Sequence, residues 1–171
     1  MNPTQHDFDG RTILVAEDTE SDFYFLERSF QEFDSAVELT RVCDGVEAIE
    51  YLAGENRFSD RAEFPLPALL LLDLKMPRKD GFAVLQWIRN QHGLRGLPVV
   101  IFSSSAQTQD IRLAYDLGAT SYIVKPMFND YAALVRTVAE YWLGFNRAPD
   151  FSGNGHVTRN ALSPPALEET E

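Results

Sequence analysis

The chain has 171 residues, 44% of them hydrophobic, and a formal net charge of -11 at pH 7. This length suits one folded domain with a sizeable core. Acidic residues outnumber basic ones, 26 against 15, which argues against a surface that neutralises nucleic acid phosphates. A single cysteine, Cys43, excludes an internal disulfide and fits a reducing compartment. We expect neither a signal peptide nor a membrane span, and therefore a cytoplasmic protein.

The first part of the chain predicts two pairs of a strand and a helix. Residues 12–16, TILVA, form a continuous apolar run typical of a buried strand. Thr19 and Asp22 have the spacing of a capping box before a helix with apolar residues at helical intervals. Residues 37–42, VELTRV, alternate as a second strand, and an Asp-Gly pair ends it before a second helix.

Three more strands are predicted in the second part, at residues 68–72, 98–102 and 121–124. The first of these follows a polar connection over residues 54–67, which is longer than most loops. A helix precedes strand four, and another one ends before Gly118, where a C-cap is expected.

The last helix is predicted to begin at a cap on Asn129 and to end at Gly144. Residues 146–171 have no apolar periodicity and are predicted to form a flexible tail. We therefore expect an arm over residues 1–10 and a domain over residues 11–145. Five mostly apolar strands that alternate with five helices predict an α/β sandwich of three layers around a parallel sheet.

Chemically active side chains follow four of the predicted strands. They are Glu17 and Asp18 after the first, Asp73 after the third, Ser103 after the fourth and Lys125 after the fifth. Parallel strands end at one edge of the sheet, where ligands bind in such folds. Taken singly, Asp18 could cap a helix and Lys125 could be a solvated charge, but their coincidence favours a site.

Three carboxylates at one edge repel each other unless a cation lies between them. Oxygen ligands favour Mg²⁺, and a metal beside a lysine attracts a phosphate group. Asp73 would then be the nucleophile, because an aspartate carboxylate can accept a phosphoryl group.

Four motifs in this order resemble the receiver domains of two-component response regulators: LVAED, LLLLDLKMPRKDG, PVVIFSS and SYIVKP. The resemblance covers residues 11 to about 143. It implies a flavodoxin-like fold, doubly wound, with five parallel strands in the order 2-1-3-4-5. It also implies that Asp73 receives a phosphoryl group from a histidine kinase or a phosphotransfer protein.

The same resemblance assigns a role to each site residue. Asp18 would bind Mg²⁺ directly, Glu17 would bind it through water, and the backbone carbonyl of Lys75 would be a further ligand. Lys125 would pair with the phosphoryl oxygens, and its bond to Pro126 is expected to be cis.

A conformational switch is implied at Ser103 and Tyr122. Ser103 would move toward the phosphoryl group and Tyr122 would turn inward, which shifts the balance between two existing arrangements. The alternative is that Tyr122 is a fixed, half-buried strand residue. Lys75 and Ser105 border the path of the hydrolytic water in the family, so they bear on the phosphate lifetime.

Two partners are predicted beyond this. The 54–67 connection, the loop after Asp73 and the pair Met127-Phe128 resemble single-domain regulators of phytochrome-type histidine kinases. Aromatic residues in and after the last helix predict a homodimer through the face formed by helix 4, strand 5 and helix 5; they are Tyr131, Tyr141, Trp142 and Phe145. The alternative is that Trp142 and Phe145 cover the protein's own core.

Two other functions compete with a signalling receiver. A degenerate binding module of the same fold would be expected to lack Asp73 or Lys125, and both are present. A phosphatase of the haloacid dehalogenase type usually has a second aspartate two residues after the nucleophile, whereas Lys75 stands there. We therefore expect no turnover of free substrates.

Overall fold

The structure is a computed structural model that describes residues 12–34, 37–126 and 130–147. Its strands are β1 (Thr12–Ala16), β2 (Glu38–Val42), β3 (Leu69–Leu72), β4 (Val99–Ser103) and β5 (Ser121–Val124). Its helices are α1 (Glu20–Phe33), α2 (Gly45–Ala53), α3 (Gly81–Asn90), α4 (Thr108–Asp116) and α5 (Tyr131–Val138), and α5 continues as a π-helical turn over Ala139–Phe145. The predicted arm, the cap at Asn129, the Met127-Phe128 pair and almost all of the predicted tail lie outside the described residues.

The five strands form one parallel sheet in the order β2-β1-β3-β4-β5. This order is the flavodoxin-like arrangement that the resemblance implied. Because β1 lies between β2 and β3, the chain reverses its direction of strand addition after β2. The carboxyl ends of β1 and β3 are therefore neighbours, as a site between them requires.

Helices cover both faces of the sheet, which gives the three predicted layers. In β1, Ile13 and Val15 pack with α1 and α5, while Leu14 and Ala16 pack with α2 and α3. All four side chains are at most 1% exposed. Strands buried on both faces have no polar side to alternate with, which explains their continuous apolar runs.

Helix ends depart from the sequence predictions in two places. Thr19 is the N-cap residue of α1, but its side chain makes no capping hydrogen bond, so the predicted capping box does not form. Gly144 does not end the last helix, because the π-helical turn runs on to Phe145 and the Asn146 N–H donates to the Tyr141 carbonyl. By contrast, Gly118 follows α4 with φ of 93°, a conformation that favours glycine.

The expected cis bond before Pro126 is wrong, since no peptide bond between described residues is cis. Cis and trans forms of an X-Pro bond differ by only about 0.5–1 kcal/mol, so the dipeptide itself does not fix the isomer. Within residues 12–34, 37–126 and 130–147, every helix is too short or too polar to span a lipid bilayer.

Candidate functional site

Acidic side chains from β1 and β3 meet a lysine from β5 at the carboxyl edge of the sheet. Glu17 and Asp18 directly follow β1, and Asp73 directly follows β3. The ladder holds Asp73 against β1, since its N–H donates to the Ala16 carbonyl at 3.0 Å. The structure thus brings together residues that are distant in the sequence, as predicted from the strand ends.

Lys125 is the centre of this cluster. Its Nζ lies 2.6 Å from Glu17 Oε2 and 2.9 Å from an oxygen of each of Asp22 and Asp73. Burial lowers the pKa of the Lys125 ammonium, but its hydrogen bonds to the three carboxylates outweigh this and raise that pKa above its ordinary value. Lys125 is therefore a fixed positive charge at the site and not a solvated surface lysine.

Glu17 is the most deeply buried carboxylate of the cluster, with 1% of the residue exposed. Burial raises the pKa of its carboxyl group, and Lys125 opposes that shift. Its Oε1 accepts from the Thr19 N–H at 3.1 Å. Its Oε2 lies 2.6 Å from Lys125 Nζ, so the ammonium neutralises this buried oxygen.

The carboxylates offer oxygen atoms close enough to share one metal ion. Glu17, Asp18 and Asp73 each have a ligand atom within 4.8 Å of the others. Glu17 and Asp73 are buried, whereas Asp18 is exposed at the rim, where water can complete a coordination shell. All-oxygen donors with an open side fit a hard divalent cation such as Mg²⁺.

Asp22 is a site residue that the sequence analysis missed. It stands in the first turn of α1, where the Thr19 spacing identified it as half of a capping box. In the fold its Oδ2 accepts from Lys125 Nζ at 2.9 Å. Its place in the first turn of the helix that begins just after Glu17 and Asp18 was the available signal.

Arg41 is a second residue that the analysis missed. From β2, its Nε donates to the Glu17 carbonyl at 3.0 Å and its Nη2 donates to the Asp18 carbonyl at 2.9 Å. Its guanidinium also lies over the Phe23 ring, 5.4 Å from the centroid. One planar cation thus fixes the backbone that carries two candidate metal ligands.

The two predicted switch residues meet at the loop that follows β4. Ser103 is fully buried at the end of β4, and its Oγ accepts weakly from the Ser105 N–H at 3.4 Å. Tyr122 is half-buried in β5, and its hydroxyl donates to the Ser105 carbonyl at 2.9 Å. Burial raises the pKa of the Tyr122 hydroxyl, so it stays a donor. The Ser105 hydroxyl donates to Asp110 in α4 at 2.5 Å, which links this loop to the helix.

The loop after Asp73 is held by its backbone and by an arginine. The Lys75 N–H donates to Asp73 Oδ1 at 3.3 Å, while the Lys75 side chain is exposed and forms no ion pair with any described residue. Arg78, at a positive φ of 61°, binds Asp44, the residue that also caps α2. This ion pair ties the loop to the start of α2, and nothing in the residue pattern indicates it.

Comparison with known proteins identifies related chains over most of this length. The family model of the response regulator receiver domain matches residues 13–138, from β1 to the end of α5. The probable methanogenesis regulatory protein FilR2 of Methanothrix harundinacea is 36% identical over 138 residues, which are 80% of this chain and 86% of that protein. The response regulator Rcp1 of Synechocystis is 29% identical over 134 residues, 78% of this chain and 89% of that protein.

Solved structures give the same result. The response regulator RPA3017 in red light signaling of R. palustris superposes with a TM-score of 0.77 and 37% identity, over 82% of this chain and 99% of that one. The phosphorylated cyanobacterial phytochrome response regulator RcpA gives a TM-score of 0.76 and 32% identity, with the same coverage of 82% and 99%. The Mn²⁺-bound form of response regulator Rcp1 gives a TM-score of 0.74 and 28% identity, over 82% of this chain and 99% of that one.

Proposed function

The chain belongs to the response regulator receiver domain family, and from this premise we propose that it accepts a phosphoryl group on Asp73 from a histidine kinase or phosphotransfer protein. The main support for this proposal is the contact between Lys125 and Asp73: Lys125 Nζ donates to Asp73 Oδ2 at 2.9 Å inside the carboxylate cluster. An Asp73 oxygen attacks the phosphorus atom, the bond from phosphorus to the donor nitrogen breaks, and an acyl phosphate forms.

Mg²⁺ is the proposed cofactor, held by Glu17, Asp18, Asp73 and the backbone carbonyl of Lys75. The chemistry that Mg²⁺ supplies when bound is neutralisation of the negative charge shared by these carboxylates and the phosphoryl oxygens. The carboxylates of Glu17, Asp18 and Asp73 have ligand oxygens within 4.8 Å of one another, which supports a cation at this place. The related Rcp1 structure in its Mn²⁺-bound form supports a divalent metal in the family.

Lys125 would exchange a carboxylate partner for a phosphoryl oxygen. Before transfer it neutralises Glu17, Asp22 and Asp73. After transfer it can donate to the phosphoryl oxygens and keep its bond to Asp22. The ammonium therefore stabilises both states without moving far.

Phosphorylation would act on the loop that follows β4. Ser103 can donate its hydroxyl to a phosphoryl oxygen. Because the Ser103 Oγ also accepts from the Ser105 N–H, its movement toward the phosphoryl group would displace Ser105. Ser105 also holds Tyr122 and Asp110, so its displacement is transmitted to β5 and α4. The output is a changed surface for a partner protein and not a reaction on a free substrate.

The kinase partner we propose is of the phytochrome type. Two of the solved structures similar to this chain are a phytochrome response regulator and a regulator in red light signaling. The test is transfer of labelled phosphate from a purified phytochrome-type kinase, compared with a kinase of another class. Equal rates from both kinases would contradict the pairing.

A homodimer is proposed through the face formed by α4, β5 and the end of α5. Five large hydrophobic side chains on these elements are at least 42% exposed, namely Leu113, Tyr115, Val124, Tyr141 and Phe145. Exposed large apolar side chains on these elements support an interaction surface there. Tyr131 was predicted to belong to it, but it is 5% exposed and packs in the core.

The decisive experiment for phosphorylation measures intact mass after incubation with Mg²⁺ and acetyl phosphate. We expect one added phosphoryl group on the wild type and on D116N, which removes an exposed carboxylate from α4. We expect none on D73N, and none on the wild type in excess EDTA. A folded, Mg²⁺-binding wild type that gains no mass would instead favour the degenerate binding module.

A further inference from the structure

A cavity lies at the amino ends of β4 and β5, at the opposite edge of the sheet from Asp73. Its volume is about 530 Å³, and its lining includes Pro98 and Thr120, which directly precede these two strands. Because β4 spans five residues, the cavity is separated from the phosphoacceptor edge by roughly 13 Å of strand. The cavity is therefore distinct from the carboxylate cluster around Asp73.

Three arginines line this cavity and none of its lining residues is acidic. They are Arg89 from α3, Arg95 from the turn after α3, and Arg147 after the π-helical turn. No ion pair joins any of the three to a carboxylate within residues 12–34, 37–126 and 130–147. In a chain with a net charge of -11, this concentration of unpaired cations is unusual.

Arg89 is a built part of the cavity wall. Its Nε donates to the Gly118 carbonyl at 2.8 Å, and its Nη1 donates to the Leu97 carbonyl at 3.1 Å. Gly118 leaves room for it, since a Cβ there would lie 3.1 Å from Arg89 Nε. Burial lowers the pKa of the guanidinium, and no carboxylate among the described residues offsets that cost. Its Nη2 makes no hydrogen bond to the described chain.

The remaining lining groups suit a ligand with an anionic head. Arg95 and Arg147 are exposed at the rim. Arg95 Nε donates to the Arg89 carbonyl at 3.1 Å, and its two terminal nitrogens make no hydrogen bond to the described residues, so they can reach a bound oxygen. Asn146 supplies an amide, and the half-buried Trp142 supplies an aromatic surface. Guanidinium groups bind phosphate oxygens in a bidentate manner, and a ligand with several such oxygens can engage more than one arginine.

From these contacts we propose that the cavity binds a small phosphate-bearing molecule. The ligand's anionic oxygens supply the counter-charge that Arg89 lacks, and Arg95 and Arg147 close around them. The site is independent of phosphorylation at Asp73.

The test is calorimetric titration of the full chain with pyrophosphate in EDTA, so that no metal joins the probe to the carboxylate cluster. We expect one-to-one binding with a Kd on the order of 0.1 mM. R95Q and R147Q should each weaken it about tenfold, since each removes one charge-assisted contact. R112Q, which removes an exposed arginine from α4, is the matched control and should bind as the wild type does.

A second readout locates the ligand. In amide NMR spectra, the shifts of Gly118, Ala119 and Thr120 should move with the same Kd, while those of Asp73 and its neighbours should not. The chain also carries Glu168, Glu169 and Glu171 after Arg147, which could compete as anions. The titration is therefore repeated on the E168Q/E169Q/E171Q chain. The proposal is wrong if neither chain binds pyrophosphate, or if R95Q, R147Q and R112Q all bind it equally.

Discussion

Lys125 is the residue on which the charge balance of the phosphoacceptor edge depends. Three carboxylates surround its Nζ, and 7% of its side chain is exposed. Removing one partner of a buried ion pair leaves the remaining charge buried and uncompensated. The resulting loss of folding stability exceeds the net contribution of the intact pair.

We expect K125Q to lower the free energy of unfolding by about 3 kcal/mol in metal-free buffer. Mg²⁺ should recover part of this loss, because it replaces the missing positive charge among the carboxylates. Urea denaturation with and without Mg²⁺ measures both effects. K75Q, which removes an exposed lysine without an ion pair to any described residue, should change stability little. Equal losses in the two variants would contradict the role of Lys125.

Arg41 acts on the metal ligands through their backbone. It donates to the carbonyls of Glu17 and Asp18 and forms no ion pair with a carboxylate of the described residues. Such supporting contacts orient ligands and typically affect metal affinity by one to two orders of magnitude.

R41Q should therefore weaken Mg²⁺ binding about tenfold, while Asp73 keeps its place in the β3 ladder. Calorimetry with Mg²⁺ gives the affinity, and thermal unfolding shows whether the fold is intact. R136Q is the matched control, since Arg136 also lies over a phenylalanine ring, 5.9 Å from the Phe33 centroid, but makes no contact with the site. Unchanged Mg²⁺ affinity in R41Q would rule out the positioning role.

At the scale of elements, the 54–67 connection is more ordered than its polar sequence indicates. Arg61 donates to the Tyr51 and Leu52 carbonyls at the end of α2, each at 2.8 Å, and to the Phe64 carbonyl at 3.1 Å. The rings of Tyr51, Phe58 and Phe64 contact each other beside it. A half-buried cation thus satisfies the carbonyls that the helix end leaves free.

We expect R61Q to reduce the free energy of unfolding by about 2 kcal/mol, since hydrogen bonds from a charged donor are the stronger kind. Chemical denaturation measures this loss. The control is R57Q in the same connection, because Arg57 is exposed and pairs with Glu47 at the surface. A loss in R57Q as large as in R61Q would show that the connection is merely sensitive to charge.

At the scale of the whole molecule, the proposed homodimer depends on exposed aromatic side chains after α5. Tyr141 is 53% exposed and Phe145 is 71% exposed, while Trp142 packs partly against the core. The alternative that Phe145 covers the core is therefore wrong, and for Trp142 it holds in part.

Y141S and F145S should each raise the dimer dissociation constant of the phosphorylated protein about tenfold. Sedimentation should therefore show more monomer in these variants than in the wild type. Y24S is the matched control, because Tyr24 is also 53% exposed but lies on α1. A wild type that remains monomeric at high concentration, with and without acetyl phosphate, would contradict the dimer.

The order of the elements, and the edge of the sheet that carries the reactive side chains, follow from the residue pattern. Continuous apolar strands of four or five residues have few ways to be buried, and parallel strands place their carboxyl ends together. Glu17, Asp18, Asp73 and Lys125 could be predicted as neighbours for this reason. The roles of Asp73 and Ser103 in phosphorylation remain predictions.

The side chains that complete the site are known from the folded structure and not from the residue pattern. Asp22 reaches Lys125 across 103 positions of sequence, and Arg41 and Arg78 reach their partners across the sheet and a loop. Long polar side chains have many rotamers, and the partner that they select depends on the packing of elements far apart in the chain. Periodicity reports which face of an element is buried, whereas a hydrogen bond between two elements depends on where the fold places both of them.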